Sequence, residues 1–267
     1  MTQLQISSRD GTPIAYELEG DGPTVILVGG GVTDRSENAP LVPELAAHFT
    51  VINYDRRGRG ASGDSTPYAV AREIEDIDAL IESAGGSAHL FGVSSGGALV
   101  LEAAAAGSDI GRFAVFEVPY NVDAEWPREW AAYREELDRA LDAGDRGSAF
   151  EAFMRVTGSS DDEIAGTRAS PFWSDLEAIA HTLRYDAACQ GTGQPPTERL
   201  GTIEQPALVL TGDDRPTDAP RWVQALDTAA DVIAAALRNG QRETLRGQSH
   251  VPDERVLATR LAEFFQS

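Results

Sequence analysis

His89-Leu90-Phe91-Gly92-Val93-Ser94-Ser95-Gly96-Gly97-Ala98-Leu99-Val100 joins an apolar run to a helix-forming one through the pattern G-x-S-x-G. A serine in so tight a strand-to-helix turn is held in a strained backbone conformation, and Gly92 and Gly96 are the neighbours without bulk that let the turn close. The turn lifts the Ser94 hydroxyl above the sheet and aims the first N–H groups of the new helix at an oxygen beside it. Ser94 is thus the candidate nucleophile, and the Ser95 N–H a candidate oxyanion donor. Reading Ser95 as the nucleophile fits less well, because Val93 would then take the first glycine position. Alone, the pattern also describes a Ser/Gly-rich helix N-terminus. The surrounding chain has to supply the strand before it, the helix after it, a histidine and an acid.

Upstream, Thr24-Val25-Ile26-Leu27-Val28 is a β-branched run of the kind buried on both faces of a sheet, and it ends in Gly29-Gly30-Gly31. Three glycines there permit a close backbone approach to a ligand, but neither the dinucleotide spacing nor a Walker lysine follows. A second oxyanion donor fits better: the Gly31 N–H, with Gly30 as the alternative. A plain tight turn is the competing reading. Leu4–Ser8 and Ile14–Leu18 alternate apolar and polar around Asp10-Gly11, an antiparallel hairpin at a sheet edge. Phe49–Tyr54 reads as another strand. The turn after it, Asp55-Arg56-Arg57-Gly58-Arg59-Gly60-Ala61-Ser62, reads as rigid and hydrogen-bonded, with Asp55 and Arg57 structural. Val70, Ile74, Ile77, Leu80 and Ile81 share one face of a helix over 68–84.

Downstream, Arg112–Glu117 is a strand ending in an acid. From Asn121 to about Leu200 the chain turns helical, acidic and interrupted, with no convincing strand, and reads as a helical cap inserted in the sheet domain. Its aromatics are mostly cap core, with Tyr120, Trp126, Trp130 and Trp173 as candidate substrate contacts. Pro206–Thr211 returns to the buried-strand pattern, a helix follows over 219–237, and Gln241–Leu245 is a last, more polar strand. Gly247-Gln248-Ser249-His250 is a loop before a final amphipathic helix that starts near Asp253 and carries Val256, Leu257, Leu261 and Phe264 on one face. Strands alternating with helices at this spacing imply a doubly wound, mostly parallel α/β sheet with its ligand site at the carboxyl ends of the strands.

Composition bounds the function. The 267 residues carry a formal net charge of −21, which disfavours nucleic acid and anionic membranes as partners and leaves a small-molecule substrate. No apolar run reaches membrane-span length, Met1-Thr2-Gln3-Leu4-Gln5 lacks the features of a signal peptide, and Cys189 is the only cysteine. These features suit a cytoplasmic monomer or homodimer without an intrachain disulfide.

In the order Val25–Gly31, Asp55–Ser62, Gly92–Gly96, Pro206–Gly212 and Gly247–His250, these motifs make the chain resemble the α/β-hydrolase fold superfamily over nearly its whole length. The resemblance implies an eight-stranded sheet, with residues 1–120 and 201–267 as core and 121–200 as a cap inserted after the sixth strand. It also implies a Ser–His–acid triad with no metal and no cofactor, and the histidine loop before the last helix matches His250 rather than His48, His89 or His181. In many members the acid follows the strand after the cap, but Arg215 stands there, with Asp214 one residue short and Asp218 more distant. Other members carry it at the end of the strand before the cap, where Glu117 stands. Phe113–Glu117 is similar to the glutamate-bearing strand of haloalkane dehalogenases, which use an aspartate nucleophile where this chain has Ser94. Glu117 is therefore the first choice of acid and Asp214 the second. Gly29 replaces the histidine of the commoner oxyanion loop. The expected activity is hydrolysis of an ester, lactone or thioester of a small, fairly apolar molecule. C–C hydrolysis, acyl transfer or cyclisation with the same triad, and a non-catalytic small-molecule receptor, are the alternatives.

Overall fold

A computed structural model describes residues 3–267; Met1 and Thr2, the start of the stretch read as lacking a signal peptide, lie outside the described residues. The strands are β1 (Gln3–Ser7), β2 (Pro13–Glu19), β3 (Thr24–Val28), β4 (Thr50–Tyr54), β5 (Ala88–Val93), β6 (Ile110–Phe116), β7 (Ala207–Gly212) and β8 (Gly240–Leu245). They form one eight-stranded sheet in the order β1-β2-β4-β3-β5-β6-β7-β8. β1 and β2 are antiparallel to their neighbours, and every pairing from β4 through to β8 is parallel. The hairpin is thus at one edge, and the largely apolar strands β3, β5, β6 and β7 are central, buried on both faces over most of their length.

Helices α1 (Leu41–Ala46), α2 (Val70–Ser83) and α3 (Ser95–Ala106) belong to the first half, and α10 (Arg221–Ala236) and α11 (Glu254–Phe265) to the end. Leu45 and Leu261, from α1 and α11, pack on one face of the sheet with Phe91 and Phe116. Ile77, Leu99 and Ile233, from α2, α3 and α10, pack on the other with Ile26 and Val115. Asp253 caps α11, its carboxylate accepting from the N–H groups of Arg255 and Val256. The apolar face of α2 also buries Glu73 and Asp76, which the turn after β4 pairs with arginines. Arg57, fully buried, bonds Asp76 at 2.6 Å and Asp10 at 3.0 Å, tying that turn to α2 and to the hairpin.

Between β6 and β7 the chain is helical: α4 (Trp126–Asp142), α5 (Arg146–Val156), α6 (Asp161–Arg168), α7 (Trp173–Ile179), α8 (Leu183–Cys189) and α9 (Thr197–Leu200). The insertion has its own apolar cluster, including Trp130, Tyr133, Leu137, Phe150 and Leu183. No described helix is long and apolar enough to cross a membrane.

Candidate active site

The β5-to-α3 turn takes the strained form that its glycines allow. Ser94 has φ 53° and ψ −126°, and a Cβ on Gly96 would run into the carbonyls of Val28 and Gly29. The turn is stitched to the next strand by the Ser94 N–H, which donates to the Phe116 carbonyl at 2.9 Å. Among the described residues, the non-glycine positions with positive φ are Val32, Ser94 and Glu117. All three lie at the carboxyl ends of parallel strands, in the loops after β3, β5 and β6. Such conformations cost on the order of 1–3 kcal/mol each and persist where the surroundings over-determine them.

The structure brings Glu117 and His250 together. His250 Nδ1 lies 2.6 Å from Glu117 Oε2. The second oxygen, Oε1, accepts the Gly212 N–H at 2.9 Å and an Arg215 N–H at 3.3 Å, so a carboxylate only 3% exposed is held from both sides. Asp214, the alternative acid, does not reach the histidine: its side chain is exposed, and its N–H donates to the Gln248 carbonyl. Asp218 is exposed as well. The cause is the close approach of two loops. Gly212 abuts Gln248 so tightly that a Cβ would meet the Gln248 carbonyl, and Asp213 accepts the Gly247 N–H at 2.5 Å. The loop after β7 is thus spent on bracing the histidine loop, through the Asp213 side chain and the Asp214 N–H, which leaves the Asp214 carboxylate exposed.

At the end of β3 the two glycine candidates separate. The Gly30 N–H donates to Glu37 Oε2 at 2.6 Å, which corrects the alternative that made it an oxyanion donor. The N–H groups of Gly31 and Ser95 donate to no acceptor among the described residues, and both residues line the same cavity as Ser94. The glycine loop is fixed through its carbonyls: Arg56 donates to Gly29 O at 3.3 Å, and Arg59 donates to Gly30 O. Both guanidiniums also reach Asp186 Oδ1 of α8, at 2.9 and 2.7 Å, and the Ser95 hydroxyl donates to that oxygen at 2.8 Å. Arg56 closes the cluster with a two-pronged pair to Glu73, both bonds 2.8 Å. Glu37 is exposed as a residue, but desolvation of its carboxyl raises its pKa above the ordinary value, against the opposing pull of the Gly30 N–H, Arg59 and His250.

A cavity of about 360 Å³ opens over Ser94 and His250. Trp126 and Trp130 line it, as read from the sequence, together with Phe153 of α5 and Trp222 of α10. Tyr120 does not: it is 1% exposed and lies in the core beneath the sheet with residues of α2 and α3. Trp173 does not either; it packs edge-on against Phe150 inside the insertion, with the Arg168 guanidinium over its ring. Trp222 was not among the sequence candidates. Its indole N–H donates to the Thr157 carbonyl at 3.0 Å, and its ring meets the His250 imidazole edge-on with centroids 5.1 Å apart. Glu37 and Asp186 were missed as well, being polar residues in stretches without a motif.

The profile of the alpha/beta hydrolase family matches residues 25–259, and the chain belongs to that family. The crystal structure of an alpha/beta hydrolase from Sphaerobacter thermophilus DSM 20745 is similar at 45% identity and a TM-score of 0.84, covering 98% of this chain and 100% of that one. A pimeloyl-[acyl-carrier protein] methyl ester esterase of Xanthomonas campestris pv. campestris is 29% identical over 256 residues, 88% of this chain and 91% of that protein. A probable oxidoreductase of Mycobacterium tuberculosis is 41% identical, but over 81 residues only, 28% of this chain and 14% of that much longer relative.

Proposed function

We propose that this member of the alpha/beta hydrolase family is a serine hydrolase that cleaves a carboxylic ester-type bond of a small, fairly apolar molecule through an acyl-enzyme on Ser94. The observation that carries the reading is the 2.6 Å contact of His250 Nδ1 with Glu117 Oε2, under the cavity that Ser94 and His250 share. Nε2 of His250 takes the Ser94 proton as the hydroxyl oxygen attacks the carbonyl carbon, and the N–H groups of Ser95 and Gly31 hold the resulting oxyanion. The imidazolium then gives its proton to the leaving alcohol, and the C–O bond breaks. In the second half-reaction His250 deprotonates a water that attacks the acyl carbon, and Ser94 leaves with the proton. Glu117 fixes the imidazole tautomer and offsets its positive charge.

In this reading residues 121–200 form the cap over the site, with Trp126, Trp130 and Phe153 supplying the apolar wall against an acyl or alcohol group. The methyl ester esterase activity in the name of the Xanthomonas relative agrees with an ester as the bond attacked. Hydrolysis of p-nitrophenyl butyrate by wild type and by Ser94→Ala, with a fluorophosphonate label alongside, tests the proposal. Turnover and labelling by wild type, both lost in the variant by about 10⁴-fold or more, are expected. Turnover surviving in Ser94→Ala overturns the mechanism, and tight ligand binding with neither turnover nor labelling favours a receptor.

A further inference from the structure

Two carboxylates stand in the wall of the cavity over Ser94, those of Asp186 and Glu37. Asp186 is spent on Arg56, Arg59 and the Ser95 hydroxyl. Glu37 is half used: Oε2 accepts the Gly30 N–H at 2.6 Å, and Oε1 accepts from no donor among the described residues. Oε1 lies on the nucleophile's side of the glycine loop, 3.3 Å from the point where a Cβ on Gly30 would sit, with Ser94 Cβ 3.2 Å from the same point. Glu37 is exposed as a residue while its carboxyl is desolvated, the state of a group on the floor of a cleft. Glu37 and His250 both border this cavity and a smaller one of about 140 Å³, so the free carboxylate oxygen and the imidazole share open space. The turn that carries Glu37 is tied down. Asp34 accepts the Ser36 N–H at 2.8 Å, the Arg35 N–H donates to Asp55 at 2.9 Å, and the Asn53 amide donates to the Arg35 carbonyl at 2.8 Å.

The second half-reaction needs such an acceptor. The water that attacks an acyl-enzyme carries two hydrogens. His250 takes one, and the other requires a partner of its own if the attacking lone pair is to stay aimed at the acyl carbon. Trp126, Trp130 and Phe153 give the water no strong acceptor on the apolar wall. We propose that Glu37 Oε1 accepts the second hydrogen of the hydrolytic water and so directs the acyl-enzyme to hydrolysis rather than to acyl transfer. The inference rests on the reading of Ser94 as the acylated nucleophile. The water oxygen bonds to the acyl carbon as its first proton passes to His250 Nε2. The bond from the acyl carbon to Ser94 Oγ then breaks, and Oγ takes the proton from His250. The second hydrogen stays on the incoming oxygen, bonded to Oε1, and leaves with the product acid. Glu37 keeps its charge throughout. An alcohol has a single hydroxyl hydrogen, which goes to His250, and it turns an alkyl group toward the carboxylate instead. Glu37 therefore favours water over an alcohol as the acceptor of the acyl group.

Turnover of p-nitrophenyl butyrate with methanol added reads this out, by counting butyrate and methyl butyrate against released p-nitrophenolate. Mole for mole, the wild-type acyl-enzyme is expected to go to water in preference to methanol. Glu37→Gln keeps an oxygen for the Gly30 N–H and turns an N–H₂ toward the water. In that variant the product ratio is expected to shift toward methyl butyrate by about tenfold or more, and turnover in water alone to fall by a similar factor. Fluorophosphonate labelling needs Ser94 and His250 but no water, so its rate is expected to stay within about twofold of wild type. A loosened glycine loop would slow labelling and turnover together and leave the product ratio where it was. That pattern overturns the proposal, as does an unchanged ratio in a folded Glu37→Gln. A wild type that prefers methanol mole for mole overturns it without recourse to any variant. A wild type that neither labels nor turns over falls instead on the hydrolase reading and takes this inference with it.

Discussion

Arg215 donates to Glu117 Oε1 across neighbouring strand ends, at 3.3 Å, while Glu117 Oε2 holds His250 at 2.6 Å. The position after β7 at which the family resemblance pointed to an acid thus carries a cation, and the cation holds Glu117, the residue just past β6. Arg215 is itself placed by bonds to the carbonyls of Gly212 and Val223, both 2.9 Å. Glu117→Gln removes the charge that stabilises the imidazolium, and a fall of about 10²- to 10⁴-fold in kcat is expected. Asp214→Asn is expected to stay within about twofold of wild type, since its side chain is exposed and off the site. A large loss in Asp214→Asn with a mild one in Glu117→Gln, measured by ester turnover, would reverse the assignment.

A methyl group at Gly96 meets the carbonyls of Val28 and Gly29. Gly96→Ala therefore pushes the glycine loop away from the elbow and spreads Gly31 from Ser95. Stability is expected to drop by about 1–3 kcal/mol, with kcat falling by about 10²-fold or more as one oxyanion donor leaves its place. Gly166→Ala in α6 is the control: a Cβ there meets nothing within 4 Å, so unchanged activity and a slightly raised melting temperature are expected.

Cys189 is 2% exposed, and burial together with the nearby Glu73 carboxylate pushes its thiol up to about 12. The thiol stays protonated at neutral pH and out of reach, so a disulfide reagent such as DTNB is expected to leave the native protein unlabelled and to react fully after denaturation. Rapid reaction of the native protein would show that α8 opens from α3 and the Arg56 cluster on the time scale of the assay.

Desolvation raises the Glu37 pKa in the folded protein, so between the unfolded and the raised folded value the native state holds a proton there that the unfolded chain has released. Its contribution to stability is then full below the unfolded carboxyl value of 4.5 and is lost as pH rises through the raised folded value. The melting temperature of wild type relative to Glu37→Gln is expected to rise as pH is lowered from neutral toward 4.5 and to level off below it. A difference that does not change with pH would show that Glu37 is not desolvated.

The strands and the elbow were legible because each is written in a local pattern. Apolar runs, continuous and β-branched in Thr24–Val28, mark the central strands, and a G-x-S-x-G between an apolar run and a helix former marks the turn. Glu117 could be ranked because a strand-end acid is a local feature too. What stayed hidden is made by contacts remote in sequence. Ser95 meets Asp186 from 91 positions away, and Trp222 meets Thr157 from 65. Tyr120 and Trp173 were misjudged for the same reason: an aromatic near a helical segment announces burial, while the face it takes is set by packing elsewhere. Gly30 and Gly31 look alike in the sequence, and only the Glu37 carboxylate on one of them tells them apart.

The bond from Ser95 to Asp186 joins the strained turn after β5 to the helical insertion. Exchanging residues 121–200 for the equivalent stretch of another hydrolase would change more than the shape of the pocket roof. It would withdraw the Asp186 oxygen that Arg59 and the Ser95 hydroxyl share, and leave Arg56 with Glu73 as its carboxylate partner among the described residues. Chimeras of this chain therefore have to carry an aspartate at the place of Asp186, or replace Arg56 and Arg59 along with it. Modular recombination here has a seam that runs through the Asp186 cluster beside Ser95 and not at the two ends of the insertion.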